Sequence, residues 1–283
     1  MHLQAFLPAM EGIMNRNRLV NCIVLAFTCL VLCTIAFAQT KGFENMVLVP
    51  TGEFTMKVDY RWREGLTLDS LIVDETGYHY RNTEVINLPA YYVDKTEVTN
   101  REFKRFMDAT NYKPEFPERF LDHWSKGSYP RGKADHPVVW VSLEDAQAYA
   151  EWAGKRLPTE AEWQKAAQGD DGLTWPWGNQ YDPKKANMDS EETSPVGSYK
   201  NGASPYGCLD MVGNVWEWTD SFSSDGYHHF SWLRGGSYFF AKGSLWYMQG
   251  GPINNNQRAK FWYMTPALNR SSSIGFRCVK DAS

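Results

Sequence analysis

Apolar residues recur at helical spacing in three stretches of the chain, and each stretch begins at a residue that favours a helix N-cap. In the second and third stretches an acidic residue follows the Ser or Thr cap by three positions, which is the pattern of a capping box. A glycine follows both, as is common after helix ends. The predicted helices begin at Thr99 or Asn100, at Ser142 and at Thr159, and the last two run to Trp152 and Gly169.

Regular elements are sparse in the rest of the chain. Alternation of apolar positions predicts a closing strand over residues 274–279. Residues 111–136 and 170–206 follow neither period and contain many aromatic rings, so we expect two long ordered loops there. Residues 57–88 are charged and are predicted to form an insertion or an exposed hairpin.

The first 38 residues have the pattern of a cleaved secretory signal peptide. Arg16 and Arg18 precede an apolar run over residues 19–36, and a small-x-small cleavage site follows at Ala36-Phe37-Ala38. Cleavage after residue 38 predicts a protein that is secreted or periplasmic.

The mature chain then begins at Gln39, and Met14 is an alternative translation start. An uncleaved membrane anchor ranks below cleavage, because the apolar run is near the lower limit for spanning a bilayer. A lipoprotein ranks third, because the residue before Cys33 is the bulky Leu32, where lipid attachment favours a small side chain. Contact with a membrane is therefore expected only through an uncleaved anchor.

The net charge and the cysteine content limit which partners and which cysteine oxidation state we expect. Removal of Arg16, Arg18 and Glu11 from the 29 basic and 33 acidic residues leaves a mature chain with a net charge of −5, which gives no reason to expect nucleic acid as a partner. Only Cys208 and Cys278 remain after cleavage, and an even pair in an oxidising compartment is a candidate disulfide. Two free thiols are the alternative.

One short acidic stretch has the composition of a calcium loop. Asp210 and Glu217 can offer hard oxygen ligands, while Gly213 and Asn214 allow a tight turn that directs peptide carbonyls to the same point. The alternative is a strand and a turn, with the two neighbouring tryptophans in the core and the carboxylates in solvent. The spacing of the carboxylates matches no fixed calcium template and leaves both interpretations open.

Four motifs in fixed order resemble the formylglycine-generating enzyme family, also called sulfatase-modifying factors. They are Arg156-Leu-Pro-Thr-Glu-Ala-Glu-Trp163, Gly213-Asn-Val-Trp-Glu-Trp218, Arg234-Gly-Gly-Ser-Tyr238 and Gly275-Phe-Arg-Cys278. This resemblance implies one domain over residues 39–283 with an α+β fold, a variant of the C-type lectin fold that has little regular secondary structure and is stabilised by calcium.

The resemblance also implies calcium ligands by position. Asp210 and Glu217 would supply side chains, and Gly213 and Val215 would supply carbonyl oxygens. A second family site begins at an Ala-Asn pair. The pair is matched here by Ala186 and Asn187, so Asn187 and the next residue, Met188, are the candidate ligands, with Asp189 as a weak substitute for the missing acidic partner.

The family's chemistry is copper-dependent oxidation of a client cysteine by molecular oxygen, and two cysteines hold the cuprous ion because soft thiolates suit Cu(I). Phe240 and Leu245 stand at those positions here, so Cu⁺ is not expected as a cofactor. Ser237 matches a serine beside the family's active site and Arg234 belongs to the same motif. Both are candidates for catalysis, with a structural role as the alternative.

These features favour a non-catalytic, calcium-bound scaffold or binding protein of a bacterial-type cell envelope, as in secretion or gliding assemblies. The expected partner is an envelope protein or an extracellular client. The alternative is an oxidoreductase of the formylglycine-generating class that has altered metal ligands and acts on a protein cysteine or a small molecule. A second alternative is a glycan-binding, lectin-like module.

Overall fold

The computed structural model describes residues 43, 45–61, 71–74, 77–224, 226–227, 229–239, 253–262 and 269–282. The predicted signal peptide over residues 1–38 lies outside these residues, and so do Phe240 and Leu245. Residues from Asn45 onward belong to one compact unit. In the described ranges, no helix is both long and apolar enough to cross a bilayer.

Three α-helices occur in the described part of the chain, and all three were predicted. Each begins with a capping box in which the side chain of a Ser or Thr cap accepts a hydrogen bond from the backbone three residues on. The third helix is buried on nearly every side. The helices are α1 Asn100–Thr110, α2 Leu143–Trp152 and α3 Glu160–Gln168.

The described strands form three small sheets, in the orders β1-β5-β10, β2-β4-β3 and β8-β7-β6-β9. Neighbours are antiparallel except β6 and β9, which are parallel. The strands are β1 Met46–Val49, β2 Gly52–Arg61, β3 Leu71–Asp74, β4 Gly77–Leu88, β5 Tyr91–Asp94, β6 Trp216–Ser224, β7 His229–Arg234, β8 Ala259–Trp262, β9 Ile274–Gly275 and β10 Val279–Asp281. This mixture of few helices with short strands agrees with the α+β class, while the relation to the C-type lectin fold stays a prediction.

Of the charged region over residues 57–88, the described residues 57–61, 71–74 and 77–88 lie in the second sheet. Phe54, Met56 and Val58 of β2 are buried and pack against Ala161 of α3, which joins this sheet to the rest of the unit. Val85 on β4 is 65% exposed, so the opposite face meets solvent.

The single closing strand predicted over residues 274–279 is wrong. The chain leaves the third sheet after β9 and enters the first sheet at β10. Between them, Phe276 O accepts from Val98 N at 2.9 Å and Cys278 O accepts from Asp94 N at 2.8 Å. The segment therefore links two sheets, and its six residues are all buried instead of alternating.

The largest apolar cluster lies between α1, α2 and the sheet that contains β6 and β9. Phe103 of α1 is 0% exposed and stacks on Tyr149 of α2, with ring centres 5.8 Å apart. It also meets the edges of Phe106 and Phe276. Aromatic packing therefore joins elements that are distant in sequence.

We expect Phe103→Ala to lower the free energy of unfolding by about 3–5 kcal/mol, because it removes a fully buried ring. Phe222→Ala is the control, since Phe222 is 55% exposed and its loss should change stability by no more than about 0.5 kcal/mol. Urea unfolding followed by tryptophan fluorescence measures both. Equal losses in the two variants would contradict this location of the core.

Candidate functional site

The predicted calcium loop lies directly before β6 and is a tight turn with positive backbone angles. The φ angles of Asp210, Gly213 and Asn214 are 54°, 80° and 56°. Position 213 requires glycine, because a Cβ there would lie 2.3 Å from the carbonyl oxygen of Asn187. The Asn214 N–H donates to that same oxygen at 2.8 Å. The two segments predicted to hold calcium therefore pack against each other.

Glu217 forms a buried, bidentate ion pair with Arg277. Arg277 Nε donates to Glu217 Oε2 and Nη2 donates to Oε1, both at 2.7 Å, and both side chains are 0% exposed. The Trp163 indole N–H also donates to Oε2 at 2.7 Å. Burial alone would lower the pKa of Arg277, but the charge of Glu217 outweighs it and the pKa is raised. The carboxylate is thus engaged by protein donors on both oxygens.

All four motifs contribute to this interior network. Trp163, Glu217 and Arg277 come from the first, second and fourth motifs, and Arg234 of the third lies opposite Glu217 in the β6–β7 register. The Arg234 guanidinium lies 5.1 Å from the centre of the Trp163 ring. The motifs thereby hold α3, β6, β7 and the last segment of the chain together.

Arg234 and Ser237, the candidates for catalysis, both lie in the interior. Arg234 is 0% exposed, and it donates to Glu160 Oε1 at 3.0 Å and to Gln164 Oε1 at 2.7 Å. Burial lowers its pKa to about 10. Ser237 is 1% exposed. The contacts of Arg234 fasten β7 to α3, which favours the structural alternative for this residue.

Glu97, which the sequence analysis missed, lies beside the loop in the segment between β5 and α1. It is 1% exposed, and its Oε1 accepts from Asn214 Nδ2 at 2.9 Å. Asp210 Oδ2 accepts from Gly197 N at 2.6 Å. Burial raises the pKa of Glu97, and the charge of Asp210 adds to this effect. Burial also raises the pKa of Asp210, with a smaller contribution in the same direction from the charge of Glu217. No sequence motif marked Glu97, since it lies among ordinary residues before a helix cap.

The groups of this region are of the type that calcium binds, since carboxylates and carbonyls are hard oxygen ligands. Asp210, Glu97 and Glu217 would carry three negative charges in the interior, and Arg277 opposes them with one positive charge. No point within the described ranges is surrounded by three or more His, Cys, Asp or Glu side chains in a geometry that could hold a metal. Calcium here would therefore draw the remaining ligands from carbonyls, such as those of Gly213 and Val215, and from water.

The proposed second calcium segment has its side chains in other contacts. Asn187 Oδ1 accepts from Ser190 Oγ at 2.6 Å, and Asn187 Nδ2 donates to the Glu192 carbonyl at 3.0 Å. The Met188 side chain is buried in an apolar cluster with Trp175, whereas Asp189 is exposed. The Asn187 side chain therefore forms hydrogen bonds within its own loop.

The candidate disulfide between Cys208 and Cys278 is not formed, and both residues are free and buried. They belong to different apolar clusters, Cys208 to the one that contains Trp163 and Cys278 to the one that contains Phe103. The Cys278 N–H donates to Asp94 Oδ2 at 3.0 Å, which holds that strand end in place. Burial raises the pKa of both thiols, so they remain protonated at neutral pH.

Comparison with known proteins places these features in a family. The family model described as "Sulfatase-modifying factor enzyme 1-like domain" matches residues 34–282. The chain is 30% identical to the formylglycine-generating enzyme of Streptomyces coelicolor, over 87% of this chain and 92% of that enzyme. It is 29% identical to "Inactive C-alpha-formylglycine-generating enzyme 2" of Bos taurus, over 84% of this chain and 88% of that protein.

Some relatives are much longer than the matched region. Serine/threonine-protein kinase Pkn1 of Chlamydia trachomatis is 34% identical over 69% of this chain, but the match spans only 34% of that kinase. Among solved structures, PvdO from Pseudomonas aeruginosa has a TM-score of 0.57 at 22% identity, and the match covers 83% of this chain and 94% of PvdO. At that identity the likeness shows the fold alone.

We expect Arg277→Met to lower the free energy of unfolding by about 3–5 kcal/mol, because Glu217 would stay buried without its cation. Arg101→Met is the matched control. Arg101 pairs with Asp135 at 2.9 Å, but their side chains are 48% and 64% exposed, so the loss should be at most about 1 kcal/mol. Urea unfolding measures both, and a loss at Arg277 no larger than that at Arg101 would argue against a desolvated pair.

Proposed function

The chain belongs to the sulfatase-modifying factor enzyme 1-like family, and we propose that it acts as a non-catalytic, calcium-bound scaffold that binds a protein partner in the cell envelope. The observation that carries this proposal is that residues of the four family motifs serve as interior contacts. In the interior, Trp163 and Arg277 both donate to Glu217, and the Arg234 guanidinium lies over the Trp163 ring. The motifs that define the family therefore account for its architecture, and their presence does not require its chemistry.

The cysteine content supports a role without copper-dependent oxidation. By the family resemblance, Phe240 and Leu245 take the positions of the copper-binding cysteines, and a hydrocarbon side chain offers Cu(I) no soft donor. The two cysteines of the mature chain, Cys208 and Cys278, are buried in separate clusters as protonated thiols. A relative named as inactive is about as similar to this chain as one named as an enzyme.

A protein partner fits the large apolar side chains that reach solvent near the β6–β7 hairpin. Phe222 is 55% exposed on β6 and Tyr227, between the two strands, is 91% exposed. Exposed aromatic rings of this kind are common at the centre of protein interfaces. The signal-peptide pattern over residues 1–38 supports an envelope or extracellular location for that contact.

The enzymatic alternative needs a metal site built without paired thiolates. The glycan alternative needs flat rings open to solvent, and the stacked rings of Trp175 and Trp177 support it weakly, because Trp175 is only 9% exposed and belongs to an apolar cluster. Retention on a glycan that calcium chelation abolishes would favour this second alternative.

Anaerobic incubation with Cu(I), followed by oxygen and a cysteine-containing sulfatase peptide, should leave the protein with substoichiometric copper and the peptide without aldehyde. The Streptomyces coelicolor enzyme is the positive control. The double variant Phe240→Cys/Leu245→Cys should gain Cu(I), because it restores two soft ligands at the positions that the resemblance assigns. Stoichiometric copper together with aldehyde formation by the unchanged protein would refute the non-catalytic proposal.

Expression of the full chain in a Gram-negative host should yield an exported protein whose first residue is Gln39, because the small-x-small site ends at Ala38. Cell fractionation and N-terminal sequencing measure this. Ala38→Arg should block cleavage and serves as the control. Recovery of an uncleaved wild-type chain from the cytoplasm would count against an envelope location.

A further inference from the structure

A cavity of about 250 Å³ lies between the second sheet and the start of α3. The strand register places Glu84 opposite Met56 and Asn82 opposite Val58, so all four side chains belong to the same face of the sheet. Met56 and Val58 are buried, whereas Asn82 and Glu84 are exposed. This wall of the cavity is therefore apolar along β2 and polar along β4.

The opposite wall offers hydrogen-bond donors. It consists of the first turn of α3, over residues 159–161, together with Ser221 of β6 and Arg258. Ser221 Oγ accepts from Glu160 N at 2.9 Å, and a hydroxyl that accepts can still donate its own hydrogen. The N-terminus of a helix also carries a partial positive charge. This wall therefore favours a negatively charged group.

Trp232 and Glu160 hold Arg258 on this wall. The Arg258 guanidinium lies 3.5 Å from the centre of the Trp232 ring, and its Nη1 donates to Glu160 Oε2. The other oxygen of Glu160 accepts from Arg234 behind the wall. Among the described groups here, two guanidiniums share one carboxylate. A carboxylate is the ligand group that a guanidinium fixed in this way binds best.

We propose that this cavity is a binding site for a free α-amino acid with a short apolar side chain. The carboxylate of the ligand would meet Arg258 and Ser221, and its ammonium group would meet Glu84. Its side chain would lie on Met56 and Val58. A cavity of about 250 Å³ suits so small a ligand, because drug-sized molecules occupy roughly 300–1,000 Å³.

The inference does not depend on the proposed scaffold function, because none of these residues belongs to the acidic loop or to the exposed rings of the β6–β7 hairpin. Calcium binding and partner binding can therefore fail without affecting it. Its own failure would likewise leave the scaffold proposal standing.

The test is isothermal titration calorimetry of the protein with L-valine. Arg258→Met should weaken valine binding by at least about tenfold, because it removes charge-assisted hydrogen bonds to the carboxylate. Arg234 remains to pair with Glu160 in that variant. Arg101→Met is the matched control, since Arg101 does not line the cavity, and it should bind valine as the wild type does.

Ligand analogues test each end of the amino acid separately. L-Valinamide, which lacks the carboxylate, should bind at least about tenfold more weakly than valine to the wild type. Glu84→Gln should weaken the binding of valine but not that of N-acetyl-L-valine, which has no ammonium group. Glu84 is exposed, so this variant also decides the question if Arg258→Met does not fold.

Saturable valine binding that falls in Arg258→Met and Glu84→Gln, and stays unchanged in Arg101→Met, supports the inference. It is overturned if the wild type gives no saturable heat with valine. Equal affinity for valine and valinamide, or unchanged valine binding in Glu84→Gln, overturns it as well.

Discussion

The buried ion pair between Glu217 and Arg277 is the contact on which the interior of this protein depends. A carboxylate and a guanidinium can remain charged away from water only when each satisfies the other's hydrogen bonds. Here two bonds of 2.7 Å do so, and Trp163 adds a third donor. The pair joins β6 to the last segment of the chain, which in turn connects two of the three sheets.

This arrangement explains how a chain with little regular structure can hold long loops in place. The strands are mostly short, so backbone ladders cover only part of the chain. Side-chain networks and packed rings connect the remainder. The loop over residues 111–136 is an example, because Arg270 donates to the carbonyls of Phe116 and Glu118 and pairs with the buried Asp145 of α2.

The same arrangement is the basis on which we propose that this chain keeps the family's architecture without its reactivity. In this chain the four motif residues Trp163, Glu217, Arg234 and Arg277 lie in contacts that hold the interior together. Under the proposed function, reactivity would depend on other side chains, those at positions 240 and 245 by the family resemblance. Names of both kinds among the relatives, an enzyme and an inactive protein, are consistent with this separation.

The sequence alone determined the features that depend on neighbouring residues. N-caps act within one turn, so a cap at Thr99 or Asn100 predicted the start of α1 and capping boxes predicted the starts of α2 and α3. A Gly-Asn pair likewise predicted the turn at Gly213. Only the tertiary structure decided which group neutralises each buried charge, whether Cys208 and Cys278 meet, and where residues 274–279 change sheet. Arg277 pairs with Glu217 because segments 60 residues apart fold against each other. Local propensity carries no information about such contacts, since the energy of a buried charge depends on every group brought around it in space.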